Sequence, residues 1–262
     1  MTALPSLPSP TRSRRPTRPR VVREPAGPAM KLDAAFLERA AHLLKNHATA
    51  LRAASHLLVE SGPAVDEAMR VRWRTALRES GAGMLRLLEQ LEKLGQELTR
   101  APAPLSSTPL AAWLREQVRE AEAATPAARV ALTAGRTPAG TWRFATASAA
   151  LALGCLLRNA LVHPAAGARA AVTGRAVPGG LLLVITDDGA GVPANEEPRL
   201  FTPFFRGEAA RDLPGAGLGL VLARAAAARA GGTVSHQSVS PRGARFELFV
   251  RGERLAASRL HT

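Results

Sequence analysis

Residues 33–99 repeat apolar side chains at the spacing of α-helices, after a stretch of chain that is rich in proline. One helix is predicted over residues 33–60, with Asp33 as its N-cap, and a second over residues 65–99, after a turn at Gly62-Pro63. The apolar stripes consist of Phe36, Ala40, Leu44, Ala48 and Leu51 in the first helix and of Leu77, Met84, Leu87, Leu88, Leu91, Leu94 and Leu98 in the second. Two such helices form an antiparallel hairpin that cannot cover its own stripe, so we expect a homodimer whose two hairpins make a four-helix bundle.

The pattern changes after residue 109, where short helix-like and strand-like stretches follow one another. Helices are predicted over residues 110–121, 147–162 and 218–230, and strands over residues 129–133, 140–144, 168–173, 181–186, 232–238 and 244–251. This mixture predicts an α/β sandwich, with helices on one face of a sheet. The fold class of the whole chain is therefore predicted as α+β, a helical hairpin followed by the sandwich.

Composition and pattern together divide the chain into five segments. Seven prolines in the first thirty residues preclude a regular helix, so this basic segment is predicted to be a disordered tail. The predicted segments are the tail at 1–30, the hairpin at 31–100, a linker at 101–108, the mixed domain at 109–252 and a C-terminal tail at 253–262.

The bulk composition narrows the range of partners and of cellular locations. A net charge of +14 suits a nucleic-acid or membrane-surface partner, but the arginines form no stripe interleaved with aromatic residues, which disfavours nucleic acid. One cysteine excludes a disulfide within the chain and disfavours a cysteine-based metal site. No apolar stretch is long enough to cross a membrane, and the N-terminus lacks the apolar stretch of a signal peptide, so we expect a cytoplasmic protein without a membrane partner.

Four short segments of the second half carry residues suited to a phosphorylated ligand: 156–163 on a predicted helix, 187–192 after a strand, 200–207, and 215–220 at the start of a helix. In the last of these, glycines allow the backbone to approach phosphates closely, because a Cβ would clash there. The helix that follows offers free N–H donors and the positive end of its dipole. Alone, this run equally fits an ordinary glycine-rich turn.

The other segments offer polar groups to the rest of such a ligand. Asp187, at a strand end, can accept a hydrogen bond from an exocyclic amine, while Gly189 and Gly191 leave room for a flat ring. Asn159, one helical turn before His163, offers an amide oxygen of the kind that Mg²⁺ prefers. Alone, the motif at Asp187 also fits an acidic turn, and Asn159 also fits a structural asparagine. We interpret the phenylalanines of the segment 200–207 as core.

The order of the four segments resembles the N, G1, F and G2 boxes of the histidine kinase-like ATPase family, and the resemblance covers Pro109 to Arg251. It implies an ATP-binding domain of the Bergerat type, with Asp187 on the adenine amino group and Asn159 on Mg²⁺. The stretch from Arg206 to Gly215 corresponds to the ATP lid. The ATP-binding set that the resemblance implies is Asn159, His163, Asp187, Gly189, Gly191, Gly215, Gly217, Leu218, Gly219 and Leu220.

Three features depart from the pattern of the family, and one of them is that an aspartate often found ahead of the first segment's helix has no counterpart near Ala145-Thr146. Cys155 stands where many members carry an asparagine, and Val162 stands where a lysine is often found. Members that hydrolyse ATP with water carry a glutamate at the position of Cys155, and a cysteine cannot act as that base. This disfavours hydrolysis and leaves phosphoryl transfer to a protein. Arg158 or Arg206 is a candidate to compensate for the missing phosphate contacts.

The first helix contains a candidate acceptor for the phosphoryl group. Residues 36–48 match the histidine kinase pattern at Phe36, His42, Leu44, Lys45 and Asn46. The resemblance implies that His42 is the phospho-acceptor and that Asn46 positions water for removing phosphate from a partner. Leu43 replaces the usual acidic residue, which orients the imidazole, so we expect a weak kinase that retains phosphatase activity.

The sequence therefore predicts a two-component protein histidine kinase with ATP and Mg²⁺ as cofactors. The partners that this implies are a second copy of the chain, the receiver domain of a response regulator, and an upstream sensor or partner protein, since no sensor domain is visible. One alternative is a catalytically silent, nucleotide-binding dimeric scaffold, which Leu43, Cys155 and Val162 favour. Another is a serine kinase of the anti-sigma-factor type, against which the long helical hairpin argues.

Overall fold

The computed structural model describes residues 32–60, 62, 65–125, 129–132, 138–161, 169–211, 213, 215–239 and 242–256. The predicted N-terminal tail, Val162, His163 and the last six residues of the predicted C-terminal tail lie outside this part of the chain. Among the described helices, none combines the length and the apolar character that a membrane span requires.

The N-terminal helices form the expected hairpin, with α1 at Ala34–Glu60 and α2 at Glu67–Thr99. Asp33 caps α1, because its Oδ1 accepts the N–H of Phe36 at 2.9 Å, which confirms the prediction. Asp66 caps α2 through the N–H of Ala68 at 3.2 Å. Both caps satisfy amide groups that a helix N-terminus leaves without partners.

The apolar stripe of the hairpin is narrower than the sequence predicted. Phe36, Ala40, Leu87 and Leu94 are buried, but Ala48 and Leu88 are exposed. Adjacent residues point about 100° apart around a helix, so Leu87 and Leu88 cannot both face the same neighbour. Leu88 lies on the part of the stripe that the predicted second hairpin would cover.

A glycine lets the two helices of the hairpin approach each other. A Cβ added to Gly83 would lie 2.5 Å from Cε1 of His47, so the imidazole of α1 occupies the space that a side chain on α2 would fill. Glycine weakens a helix interior by about 1 kcal/mol relative to alanine. At Gly83 this cost is offset by the packing of His47.

The second half of the chain forms a sheet with helices on one face. Its described elements are β1 at Ser106–Pro109, α3 at Leu110–Ala124, β2 at Arg129–Leu132, β3 at Thr141–Phe144, α4 at Thr146–Leu161, β4 at Arg169–Val177, β5 at Gly180–Asp187, α5 at Gly219–Arg229, β6 at Thr233–Ser238 and β7 at Ala244–Arg254. Six of the seven described strands follow the order β1-β3-β7-β5-β4-β2, and the seventh, β6, pairs with β7. Only the β2–β4 pair is parallel among the pairings of these strands. The α+β fold class is as predicted.

Two stretches differ from the sequence prediction, and both pair with β3. Ser106–Pro109, assigned to a linker, forms a strand antiparallel to Thr141–Phe144. The last strand continues past residue 251, into the predicted C-terminal tail, where Glu253 and Arg254 lie opposite β3. Neither stretch alternates apolar and polar residues clearly, so the pairing depends on tertiary contacts that the local pattern does not report.

The hairpin and the second domain share one hydrophobic core. Helices α4 and α5 pack on the sheet face that carries Leu181, Leu183 and Ile185, and Leu87 and Leu94 of α2 belong to the same buried cluster. The predicted hairpin at 31–100 meets the predicted domain at 109–252, because α2 lies directly against α5. This packing brings the helices of the hairpin close to the candidate site.

Candidate nucleotide-binding site

Asp187 ends strand β5 and has a fixed carboxylate. Its Oδ1 accepts the N–H groups of Gly189 at 3.0 Å and of Ala244 at 3.1 Å. The other carboxylate oxygen takes no part in these two bonds and can accept a hydrogen bond from a ligand. The neighbouring Asp188 is exposed and accepts the N–H of Arg169, so it closes the turn instead.

The backbone around Asp187 is packed too closely for side chains. Gly191 has a φ of 78°, and a Cβ there would lie 3.0 Å from the carbonyl oxygen of Gly243. Gly243 itself has a φ of 98°, and its Cβ would lie 2.1 Å from the carbonyl oxygen of Asp187. The sequence analysis missed Gly243 and Ala244, although a glycine immediately before an alternating strand is a signal for such a close approach.

The glycine-rich loop leads into α5, which starts at Gly219. Gly217 has a φ of 73°, and a Cβ there would lie 2.7 Å from backbone atoms of Phe204 and Phe205. Gly215 also has a positive φ, of 149°, whereas a Cβ at Gly219 would meet no atom within 4 Å. The conformation and the packing therefore require glycine at position 217, and leave the space beside Gly219 open.

The N-terminus of α5 offers N–H groups to an anion. No side chain caps it by a hydrogen bond. The first N–H groups of a helix lack partners within the helix, and the dipole favours negative charge there. Leu218 is fully buried and Leu220 packs partly against the core, so these two predicted site residues offer only their backbone.

On α4, Asn159 and Cys155 have different surroundings. Asn159 is half-buried, and its side chain makes no hydrogen bond to any other described residue, so its amide oxygen remains available. Cys155 is buried, its Sγ accepts a hydrogen bond from Nη2 of Arg158 at 3.1 Å, and burial raises the pKa of its thiol. A buried neutral thiol is neither a general base nor a ligand for a hard cation.

The donor set fits a magnesium ion that is shared with phosphates. The part of the chain that the structure describes contains no cluster of three or more His, Cys, Asp or Glu side chains that would hold a metal by itself. Mg²⁺ is commonly bound by one or two protein oxygens together with phosphate oxygens and water. The free amide oxygen of Asn159 matches that requirement.

In the described part of the predicted lid, side chains bond to backbone groups of nearby residues. The guanidinium of Arg206 donates to the carbonyl oxygens of Ala210 and Leu213. The Oε1 atom of Glu196 accepts the N–H of Glu208 at 2.9 Å. Arg158 and Arg206, the two candidates to compensate for missing phosphate contacts, are therefore both engaged within the chain.

The first helix contacts the segment that supports the glycine-rich loop. The rings of Phe36 and Phe204 lie 5.0 Å apart between centroids. Phe204 has a φ of 61°, unusual for a non-glycine residue, and its N–H donates to the carbonyl oxygen of Gly217 at 3.1 Å. His42 and Asn46 are exposed farther along α1, and their side chains make no hydrogen bond or ion pair with another described residue.

One histidine that the sequence analysis did not single out lies on β6, close to this region. The ring of His236 is 5.0 Å from that of Phe246, and its buried Nε2 has no hydrogen-bond partner among the described residues. Burial lowers the pKa of His236, and the nearby carboxylates of Glu197 and Asp187 partly oppose this shift. His236 pairs with Phe246 of β7, two residues after Ala244, whose N–H donates to Asp187, so the imidazole lies near the candidate adenine site.

Comparison with known proteins agrees with this geometry. Residues 147–254 match the family model described as "Histidine kinase-, DNA gyrase B-, and HSP90-like ATPase". The histidine-protein kinase/phosphatase MprB of Mycobacterium leprae is 36% identical over 87 residues, which are 33% of this chain and 17% of that protein. The chain thus aligns with a small part of its curated relative.

Two solved structures share the overall arrangement of helices and sheet. The histidine kinase AdeS of Acinetobacter baumannii superposes with a TM-score of 0.60 at 18% identity, over 80% of this chain and 97% of that one. Full-length ShkA, solved in complex with AMPPNP, superposes with a TM-score of 0.58 at 26% identity, over 84% of this chain and 47% of that one. Both matches extend beyond residues 147–254 and so include the helical part.

Proposed function

We propose that this chain, whose residues 147–254 form a histidine kinase-, DNA gyrase B- and HSP90-like ATPase domain, is a protein histidine kinase that phosphorylates itself on His42. The observation that carries the proposal is the contact between Phe36 of α1 and Phe204, whose N–H holds the glycine-rich loop at Gly217. Through this contact, the helix that bears His42 lies against the segment that supports the glycine-rich loop.

In this proposal ATP lies between Asp187 and the start of α5. The free oxygen of Asp187 accepts a hydrogen bond from the adenine amino group, and the N–H groups at the start of α5 receive the phosphates. Asn159 would hold Mg²⁺ together with phosphate oxygens and water, and the ion would neutralise part of the phosphate charge. The solved complex of ShkA with AMPPNP supports an ATP-like ligand for this fold.

The transfer itself requires a nucleophile and a leaving group. The lone pair of an unprotonated ring nitrogen of His42 attacks the γ-phosphorus, the bond from that phosphorus to the β-phosphate oxygen breaks, and ADP leaves. The imidazolium then releases its remaining ring proton to water. An aspartate of a response regulator subsequently takes the phosphoryl group from His42.

Leu43 accounts for the low kinase activity that we propose. Its side chain packs against the core, so it neither orients the imidazole of His42 nor accepts a proton. The loss of a general base commonly slows a reaction about 10²–10⁴-fold. Asn46 is exposed near His42 on α1, where it can orient water for dephosphorylating a receiver. The similarity to MprB, a histidine-protein kinase/phosphatase, supports this second activity.

A homodimer is part of the proposal. Large apolar side chains remain exposed on the hairpin, and among them are Leu37, Val71, Leu85 and Leu88. Exposed apolar positions on both helices suit burial against a second hairpin, as in a four-helix bundle. Phosphotransfer to a receiver domain and control by an upstream sensor follow from the same family resemblance.

The proposal is tested by incubating the full chain with γ-labelled ATP and Mg²⁺. We expect the wild type to acquire slowly a label that acid removes, because the phosphorus–nitrogen bond of phosphohistidine is labile in acid, and we expect the His42→Ala variant to acquire none. His56→Ala, at an exposed position of the same helix, serves as the control and should retain the label. A label that persists in His42→Ala, or one that is stable to acid, would refute the assignment; the second result would favour a serine kinase.

A silent scaffold is the second candidate, and the buried thiol of Cys155 together with Leu43 favours it. It predicts binding of AMPPNP with no label on any residue. Titration calorimetry with AMPPNP on the wild type, run beside the labelling reaction, separates this outcome from a chain that binds no nucleotide.

A further inference from the structure

The candidate triphosphate site has few free cations in its own domain. All three lysines of the chain, Lys31, Lys45 and Lys93, precede that domain. Arg158 is bonded to Cys155, and Arg206 is bonded to carbonyl oxygens of the lid. A triphosphate carries several negative charges, and the transfer of its terminal phosphoryl group is catalysed largely by charge neutralisation. A cation supplied from elsewhere in the chain therefore adds to this neutralisation.

Arg39 of α1 lies beside the segment that supports the glycine-rich loop. It lines a cavity of about 510 Å³ together with residues 202–206 of the phenylalanine segment and with Glu196, Glu208 and Arg211 of the surrounding loops. Phe204, which lines the same cavity, donates its N–H to Gly217. The cavity thus adjoins the support of the glycine-rich loop.

Other charged groups of the cavity are already engaged. The guanidinium of Arg199 lies 4.4 Å from the ring centroid of Phe205, and Glu196 accepts the N–H of Glu208. The side chains of Arg39 and Arg211 are exposed and form no ion pair or hydrogen bond with another described residue. Of these two, only Arg39 belongs to the helix that also carries His42.

The spacing on α1 places Arg39 beside the acceptor. Residues three apart lie on the same side of a helix, about 5–6 Å apart between Cβ atoms, and Arg39 precedes His42 by three positions. A guanidinium in that position faces both the histidine and the cavity next to the phosphate loop. An arginine that one element supplies to a phosphoryl site formed by another is an effective way to stabilise the charge of the transferring group.

We infer that Arg39 is a further catalytic residue, which binds the γ-phosphoryl group of ATP from the helix that carries His42 and adds a cation to the few that the ATP-binding domain offers. The inference rests on the proposed function. In the reaction, the bond between the His42 nitrogen and phosphorus forms, the bond from phosphorus to the β-phosphate oxygen breaks, and ADP leaves. Arg39 donates hydrogen bonds to the γ-phosphate oxygens throughout and transfers no proton.

The test compares Arg39→Gln with Arg39→Lys and with Arg52→Gln, whose residue is exposed on the same helix and does not line the cavity. We expect Arg39→Gln to slow labelling of His42 by about 10²–10³-fold, on the scale of one lost charge-stabilising donor. Arg39→Lys should recover part of the rate. Arg52→Gln should label like the wild type, and thermal unfolding should be unchanged in all three variants.

A binding measurement makes the test independent of activity. In calorimetry on the full chain, Arg39→Gln should weaken AMPPNP several-fold and leave ADP unaffected, because only AMPPNP has a γ-phosphoryl group. Equal AMPPNP affinity and an equal labelling rate in wild type and Arg39→Gln would overturn the inference while leaving the proposed kinase intact. A wild type that binds AMPPNP without labelling would remove the kinase, and the AMPPNP-to-ADP comparison would still decide the role of Arg39. A wild type that binds neither nucleotide would overturn both.

Discussion

Gly217 and Phe204 show how individual residues determine the shape of the phosphate loop. The N–H of Phe204 bonds to the carbonyl oxygen of Gly217, and the backbones approach so closely that a Cβ on Gly217 would meet Phe204 and Phe205 at 2.7 Å. Phe204 itself adopts a left-handed conformation, with a φ of 61°. Such conformations cost of order 1–3 kcal/mol and persist where the surrounding packing requires them. Here the packing includes Phe36, so the strain lies where the acceptor helix meets the loop.

The two glycines of this loop should respond differently to the same substitution. Gly217→Ala should lower the free energy of unfolding by about 1–3 kcal/mol, because it combines a positive φ with a backbone clash. Gly219→Ala is the matched control and should leave the stability nearly unchanged, since nothing lies within 4 Å of the added Cβ. Denaturant unfolding measures both. Equal losses in the two variants would contradict the packing described here.

His236 should make the stability of the protein depend on pH. Burial lowers its pKa below the ordinary value of 6.5, so the unfolded chain takes up the proton at a higher pH than the folded chain does. The contribution of neutral His236 is therefore complete above about pH 6.5 and is lost as the pH falls towards the lowered pKa. Between pH 7.5 and 5.5 the unfolding temperature of the wild type should fall more than that of His236→Leu. His42→Gln, at an exposed histidine, should behave like the wild type, and parallel curves for all three proteins would refute the account.

The sequence predicted the residues of the site that lie within one motif, and it missed those that the sheet brings in from far along the chain. Asp187 and Gly217 follow from local patterns, a carboxylate at a strand end and a glycine before a helix. Ala244 and His236 enter only through strand pairing, and the register of distant strands depends on contacts that no local pattern encodes. A role in nucleotide binding remains a prediction for each of them.

At the level of elements, the junction between the hairpin and the ATP-binding domain is a buried polar network. Glu97 near the end of α2 pairs with Arg229 at the end of α5 at 3.0 Å, and both side chains are almost entirely shielded from solvent. Ser148 on α4 donates to Glu97, and Arg229 also donates to the carbonyl oxygen of Ala101. The sequence predicted the helices but gave no sign of this junction, because its members are separated by about half the chain. The same limit explains why the short strand at Ser106–Pro109 was taken for a linker.

Removal of one member of this network should loosen the junction. Glu97→Gln should lower the free energy of unfolding by roughly 3 kcal/mol, because it leaves the guanidinium of Arg229 buried without its charge partner. Glu89→Gln, at an exposed position of the same helix, is the control and should cost less than about 0.5 kcal/mol. Denaturant unfolding again provides the measurement, and a loss of similar size in both variants would show that the network contributes nothing specific.

On the scale of the whole molecule, helix α1, which carries the proposed acceptor His42, is in direct contact with the ATP-binding domain. The hairpin meets the domain through Phe36 on Phe204 near the glycine-rich loop, through Leu87 and Leu94 in the shared core, and through Glu97 with Arg229 at the far end of α2. Contacts at both ends and between them fix the relative orientation of the two parts. In this orientation Arg39 lines the cavity beside the loop, and His42 follows one helical turn later. The same arrangement leaves apolar side chains of the hairpin exposed for a second copy of the chain.

The central claim, that the nucleotide domain serves His42, is tested most directly by locating the phosphoryl group. The full chain is incubated with ATP and Mg²⁺, digested at neutral to alkaline pH to preserve phosphohistidine, and examined by tandem mass spectrometry. The account predicts phosphate on His42 in the wild type and on no residue in Asp187→Asn, which lacks the carboxylate for adenine. Phosphate on a serine, a threonine, His47 or His56, or on His42 at an equal level in Asp187→Asn, would contradict it.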